Sequence, residues 1–340
     1  MKISDYILDS DLEIDTTTFD TTPIELLPGE VDPRLKLLSH SSRELLHTCP
    51  RKYQLYKLSA ESIVLDSNKE QESSITFAYG HAVGTGIQSV LEGKDEDVII
   101  LDVFLSWDTD LLEENLRQNK SFWLAVHAVK SFIGMVKDSF LEDYELVYHE
   151  DKPAIELSFK IIMPNGYTYR GFIDAVLRHK TTGAVIVLED KTTSGTANAS
   201  MYRNSGQALG YSVVLDKLFP NLAAYEVIYL VYETRSMSYK QLSFDKSLLQ
   251  RALWLQELYI DSKIIDTYIE YESFPMHGES CFKYMEDCKY CTLCTMSTER
   301  LTKPLTEKIL SEINDKEDDS QYDFVVSLEE LINRQIEKGE

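Results

Sequence analysis

Two carboxylates and a lysine stand in a pattern that suits phosphoryl chemistry. Asp174 is followed fifteen residues later by Glu189-x-Lys191. The flanking runs, Gly171-Phe-Ile-Asp174-Ala-Val-Leu and Val185-Ile-Val-Leu-Glu189-Asp190-Lys191-Thr192, are apolar enough for strands, and Lys180-Thr181-Thr182-Gly183 between them is a turn signal. Side chains alternate along a strand, so Glu189 and Lys191 share a face and Asp190 takes the other. A hairpin closing symmetrically about Thr181-Thr182 sets Asp174 opposite Glu189, with Cβ atoms about 5 Å apart. A bulge would shift that register. Such groups are costly on an apolar sheet unless they act together. One reading is a divalent-cation site. Hard oxygen ligands suit Mg2+ or Mn2+ and leave positions for water and phosphate, while the lysine steadies charge developing on phosphorus. The other is a salt bridge at the end of a sheet, and spacing alone leaves both open.

The second group is sulfur. Of five cysteines, Cys281, Cys288, Cys291 and Cys294 lie within fourteen residues, and Cys49 is far upstream. In a reducing cytosol this clustering indicates a metal rather than disulfides, and zinc is the default for four thiolates.

The elements that must position these residues are legible from hydrophobic period. Ser41-Ser42-Arg43-Glu44 has capping-box spacing and opens an amphipathic stretch over 41–58. Helices are expected over 82–92 and, most clearly, 121–141. The period then switches to strands over 154–163, 167–178 and 184–191. A helix over 200–218, strands at 225–233 and 238–244 and a long helix over 247–270 follow. The expected class is α/β with a mixed central sheet flanked by helices. Residues 1–30 read as an acidic leader of low order, 31–300 as the domain, and 301–340 as an acidic tail with an amphipathic helix over Phe324, Val325, Val326, Leu328, Leu331, Ile332 and Ile336. That stripe either docks back on the domain or binds a protein partner. The tail is expected to be dispensable for chemistry.

Charge limits the partners. The chain of 340 residues has 34 basic and 57 acidic residues, a net of −23, which argues against a polyanion-binding module held by a general basic field. The first thirty residues carry −7 and the last forty −6, so the middle is only mildly acidic and nucleic acid stays open as a local ligand. No run approaches the roughly 20 apolar residues of a membrane helix. The N-terminus lacks a signal pattern, so a soluble cytoplasmic protein is expected, in a bacterial or phage-infected cell.

Asp174, Glu189-x-Lys191, Gly171-x-x-Asp174 and Lys191-Thr192 together resemble the PD-(D/E)XK nuclease signature in its RecB-type branch, which includes phage exonucleases and CRISPR-adaptation nucleases. In that branch a helix after the lysine strand carries Gln-x-x-x-Tyr, here Gln207-Ala-Leu-Gly-Tyr211, whose spacing puts both side chains on one helical face. The resemblance implies catalytic roles for Asp174, Glu189, Lys191, Gln207 and Tyr211, and a restriction-endonuclease-like core. It also implies an upstream Gly-x-x-x-His helix whose histidine joins the metal. Counted from Gly80, that position holds Gly84. Either His81 or Gln88 substitutes, or the metal has fewer protein ligands.

The cysteines resemble the iron–sulfur staple of the same branch. Ser39-x-Ser41 … Cys49-Pro50-Arg51-Lys52-Tyr53 is similar to its first element, and Phe274-Pro275 … Cys281-x6-Cys288-x5-Cys294 to its second. The resemblance implies a [4Fe–4S] cluster on Cys49, Cys281, Cys288 and Cys294, with zinc as the alternative and Cys291 spare or an alternative ligand. Such a cluster would join the N- and C-terminal segments of the domain. Arg51, Lys52, Lys57, Tyr53 and Tyr56 are either phosphate and base-stacking contacts or a solvated helix face. The implied activity is a Mg2+- or Mn2+-dependent DNA exonuclease of recombination, repair or replication, acting on a single-stranded end. A structure-specific endonuclease and an active-site-degraded DNA-binding scaffold are the alternatives.

Overall fold

The structure is a computed structural model that describes residues 31–58, 75–107, 120–138, 140–222, 225–283, 286–295 and 306–339. The acidic leader lies outside the described residues. Eight strands make one mixed sheet: β1 (Leu37–Leu38), β2 (Tyr144–Leu146), β3 (Ile155–Ile162), β4 (Thr168–His179), β5 (Val185–Thr193), β6 (Tyr225–Glu233), β7 (Ser238–Lys246) and β8 (Phe324–Ser327). The spatial order is β8-β3-β4-β5-β6-β7, with β1 and β2 also paired to β4. The sheet is antiparallel through β3-β4-β5, turns parallel at β5-β6 and returns antiparallel at β7.

The helices are α1 (His40–Thr48), α2 (Pro50–Leu58), α3 (Ile75–Leu91), α4 (Glu96–Ser106), α5 (Phe122–Asp138), α6 (Ala199–Arg203), α7 (Gly206–Val214), α8 (Leu248–Glu270), α9 (Glu307–Glu317) and α10 (Leu328–Gly339). Alternation along the strands feeds two cores. Ala175, Leu177, Ile186, Leu188, Ile228 and Leu230 pack with Tyr79, Val83 and Phe132 of α3 and α5. Val185, Val187, Tyr229 and Val231 pack with Tyr211, Trp254 and Leu258 of α7 and α8. The α7–α8 crossing is close: a Cβ on Gly210 would stand 2.7 Å from the Trp254 ring. Among the described residues no helix is long and apolar enough to cross a membrane.

Several elements differ from the sequence expectation: α3 begins at Ile75 rather than at 82, the expected 200–218 helix is split into α6 and α7, α4, β1 and β2 were not expected, and three further differences have clear causes. The 41–58 stretch is two helices broken at Cys49, because Pro50 has no N–H to continue the first. The N-cap is Ser39, whose capping box closes with Ser42 rather than Glu44. The amphipathic tail does not begin as a helix. Phe324–Ser327 is a strand running parallel to β3, with Phe324 beside Phe159 and Val326 beside Ile161. Its burial alternates, Phe324 and Val326 inward, and only from Leu328 does the helical period hold. Leu328 and Leu331 are buried, and Lys338 and Gln335 of α10 reach Asp216, which also pairs with Arg251 of α8. The tail therefore packs as part of the domain.

Candidate functional site

The β4-β5 ladder joins Ala175 to Leu188, Val176 to Val187, Leu177 to Ile186 and Arg178 to Val185, the register that hairpin symmetry requires. It ends one step short of Asp174 and Glu189. Beyond that step β5 continues beside β6 as far as Thr193, while Thr168 and Tyr169 at the start of β4 pair with β1. The sheet forks at the two carboxylates. The fork strips the Asp190 N–H of a ladder partner, and it donates instead to Asp174 Oδ2 at 3.1 Å. Ile173 belongs to the α7–α8 core and Ala175 to the α3–α5 core. Residues two apart normally share a face, so β4 is bulged at Asp174.

Glu189 is 1% exposed, and Lys191 Nζ donates to its Oε1 at 2.5 Å. Its Oε2 is enclosed and has no hydrogen-bond partner. Burial first, and then the charge of Asp174, hold the Glu189 carboxyl well above the usual carboxylate range. Burial likewise raises Asp174, against the pull of Lys191. On the opposite face of β5, Asp190 Oδ1 is also enclosed and unpartnered, and burial with Asp174 pushes that carboxyl up to about 8. Lys191 is raised: its carboxylate neighbours, Glu189 foremost, outweigh its burial. Three acids that resist ionisation beside one lysine form a site short of positive charge. Among the described residues no three His, Cys, Asp or Glu side chains converge on a common point as ready-made metal ligands. Each carboxylate instead takes its own donor. The donor set still fits a hard divalent cation: carboxylate oxygens, two of them orphaned, at an electrostatic deficit.

Behind these acids, α7 places Gln207 and Tyr211 together, with Gln207 Nε2 donating to the Tyr211 hydroxyl at 2.6 Å. Burial, with the nearby charges of Glu189 and Asp174, raises Tyr211 well above an ordinary phenol. A cavity of about 430 Å3 opens between the fork and α3, lined by Gly80, His81, Gly84, Gln88, Asp174 and Asp190 among others. His81 lies at its wall with its ring stacked on Phe77, 6.2 Å away at 9°. A Cβ on Gly84 would meet nothing within 4 Å. Sequence reasoning missed Glu156 of β3, which lines the same cavity and accepts from Gln88 Nε2 at 2.7 Å. Its surroundings and the charge of Asp174 push it up to about 7. The legible signal was a lone acid between Ile155 and Leu157. His40, at the start of α1, was also missed. Burial lowers it, and Lys191 is among the charges that act on it.

The cysteine segment packs against the break between α1 and α2. Arg51 N–H donates to the Pro275 carbonyl at 3.0 Å, and Leu55 packs with Tyr290, Leu293, Cys288 and Cys294. Burial alone would raise the Cys49 thiol, but N–H donors of His277, Lys52 and Arg51 and the Ser280 hydroxyl hold it below its usual value. Burial raises Cys294, and the charges of Cys288, Cys49 and Cys281 add to it, so these four thiols are close enough to sense one another. Cys291 is exposed and acts on Cys281. The four are neighbours without forming a ligand cage. The basic and aromatic face expected on α2 is mostly internal. Tyr53 is fully buried with its hydroxyl on the Leu35 carbonyl, Arg51 is buried against Gln54, and Lys57 bonds the Leu37 carbonyl. Only Tyr56 is freely exposed.

The family model of the PD-(D/E)XK nuclease superfamily matches residues 37–295. No curated protein matches the chain. Among solved structures, a putative exonuclease from Eubacterium rectale is 12% identical at a TM-score of 0.44, covering 85% of this chain and 98% of its own. The structure of SSO0001 is 15% identical at a TM-score of 0.29, covering 73% and 94%.

Proposed function

Because the chain belongs to the PD-(D/E)XK nuclease superfamily, a family of nucleic-acid hydrolases, we propose that it is a Mg2+- or Mn2+-dependent deoxyribonuclease that degrades DNA from an end. The observation that carries this reading is the meeting of Asp174, Glu189 and Lys191 at the fork of the sheet, with Glu189 Oε2 enclosed and unpartnered. Asp174 and Glu189 would hold the divalent cation, with His81 at the cavity wall. The cation supplies Lewis-acid polarisation of the scissile phosphate and neutralises its charge. Lys191 opposes the burial that raises Glu189 and presents an ammonium to the charge that builds on the phosphoryl oxygens as water adds and the P–O bond to the leaving oxygen breaks. Gln207 and Tyr211 back the carboxylates, and the raised phenol stays a neutral hydrogen-bond donor. All three catalytic side chains are intact, which favours an active enzyme over a degraded scaffold.

The exonuclease reading, a single-stranded end as substrate, and work in recombination or repair in the cytoplasm rest on the resemblance of Gln207-x-x-x-Tyr211 and the cysteine spacing to RecB-type enzymes. On the same footing we assign Cys49, Cys281, Cys288 and Cys294 to a [4Fe–4S] cluster, with zinc as the competing metal. The lowered Cys49 thiol and the contiguity of the four sulfurs support it. Phe324, Val326, Leu328 and Leu331 of the tail stripe pack on the domain, while Ile332 and Ile336 stay exposed, and these two are what a protein partner would contact. Linear and circular single-stranded DNA incubated with the protein and Mn2+ test the reading. Loss of the linear form alone supports an exonuclease, and nicking of the circle indicates an endonuclease.

A further inference from the structure

Glu156 occupies a position that ordinary sheet geometry does not provide. Its φ is +47°, in the left-handed region that a non-glycine residue enters inside a strand only under constraint. The β3-β4 ladder joins Ile155 to Ala175 and Leu157 to Ile173, skipping the step that would pair Glu156 with Asp174. The result is that the Glu156 carboxylate enters the cavity that Asp174 and Asp190 also line. Gln88 of α3 fixes it there through the 2.7 Å hydrogen bond to Oε1. Gln88 stands one turn beyond Gly84, where the helix offers the cavity no side chain. Asp190 Oδ1, enclosed and unpartnered, belongs to a residue that lines this same cavity, and Glu189 meets Asp174 from the other face of β5.

We propose that Glu156 is a third acidic ligand toward the divalent cation of this site, supplied by the sheet where α3 contributes none, and that Gln88 is its positioning residue. The inference rests on the reading of Asp174 and Glu189 as the cation site. Oxygen donors from β3 and β4 suit the same hard ions.

Mn2+ titration of the purified full chain, read by calorimetry and by the electron paramagnetic resonance of free Mn2+, tests it. Glu156→Gln keeps the size and the acceptor for Gln88 and removes only the charge. It should weaken Mn2+ binding about tenfold or more, with the melting temperature before Mn2+ addition unchanged or raised. Gln88→Ala should weaken binding less than Glu156→Gln and serves if the latter fails to fold. Wild-type Mn2+ affinity in Glu156→Gln or, should that not fold, in Gln88→Ala, beside weakened binding in Asp174→Asn, overturns the proposal and leaves the site standing. Wild-type affinity in Asp174→Asn as well overturns both.

Discussion

Glu189 and Lys191 form the tightest contact of the fork, and in the proposed site Glu189 would hold the cation and Lys191 would steady charge. Removing either should end cleavage without unfolding the chain. Glu189→Gln replaces a carboxyl that burial already disfavours in its charged form, so the fold loses little. Lys191→Ala removes the ammonium from a partly exposed position and leaves Glu189 without its donor. We expect cleavage rates to fall by at least about 100-fold in each variant, with circular dichroism unchanged. Initial rates on linear DNA under saturating Mn2+ are the check. The carboxylates and lysine were readable in the sequence because strand alternation and hairpin symmetry are local rules. Glu156 was not, because its place depends on a skipped ladder step and a positive φ that no residue type announces.

At the scale of elements, the C-terminal segment carries the largest departure from the sequence reading. Phe324-Val325-Val326 fits a helical stripe only when joined to Leu328 and Leu331, and its β-branched pair is equally a strand former. The partner that decides between the two, β3, lies more than 150 residues upstream. Leu331→Ala should therefore destabilise the protein by about 2–5 kcal/mol, as for other fully buried leucines. Truncation after Arg300 should lower the melting temperature further, since it uncovers the edge of β3 and takes Lys338 and Gln335 from Asp216. Thermal unfolding followed by circular dichroism measures both, and an unchanged melting temperature on truncation would refute the docking of β8 and α10.

The end of β7 gives a pH-dependent test. Lys246 is buried with its Nζ 2.6 Å from the Arg203 carbonyl, and burial pushes it down to about 8 from the usual 10.5. The unfolded chain binds the proton more tightly, so stability rises with pH between these values. Wild type should gain on the order of 2 kcal/mol over Lys246→Met between pH 8 and 10, seen as a widening or reversal of their urea midpoints. Parallel midpoints across that range would show that Lys246 is not charged at a cost in the fold.

For the whole molecule, the run from α5 through β3, β4 and β5 to β7 and α8 was legible from hydrophobic period, whereas α4, the short strands β1 and β2 and the break between α6 and α7 were not. The break at Cys49 was not, although Pro50 marks it, because the amphipathic stripe runs on across it. That break brings the first thiol to the C-terminal cysteines. Protein purified without oxygen should be brown, with broad absorption near roughly 400 nm, if these sulfurs hold an iron–sulfur cluster. Cys288→Ser should lose the colour and Cys291→Ser keep it. Colourless protein with stoichiometric zinc would assign the staple to zinc instead.

The central claim is hydrolysis of DNA by the fork carboxylates and Lys191. Its most direct measurement is the release of nucleotides from end-labelled linear DNA in Mn2+ by wild type, Glu189→Gln and Lys191→Ala purified side by side. Release by the wild type alone is the expected result. Equal release by all three, or none by folded wild type that binds Mn2+, would contradict it.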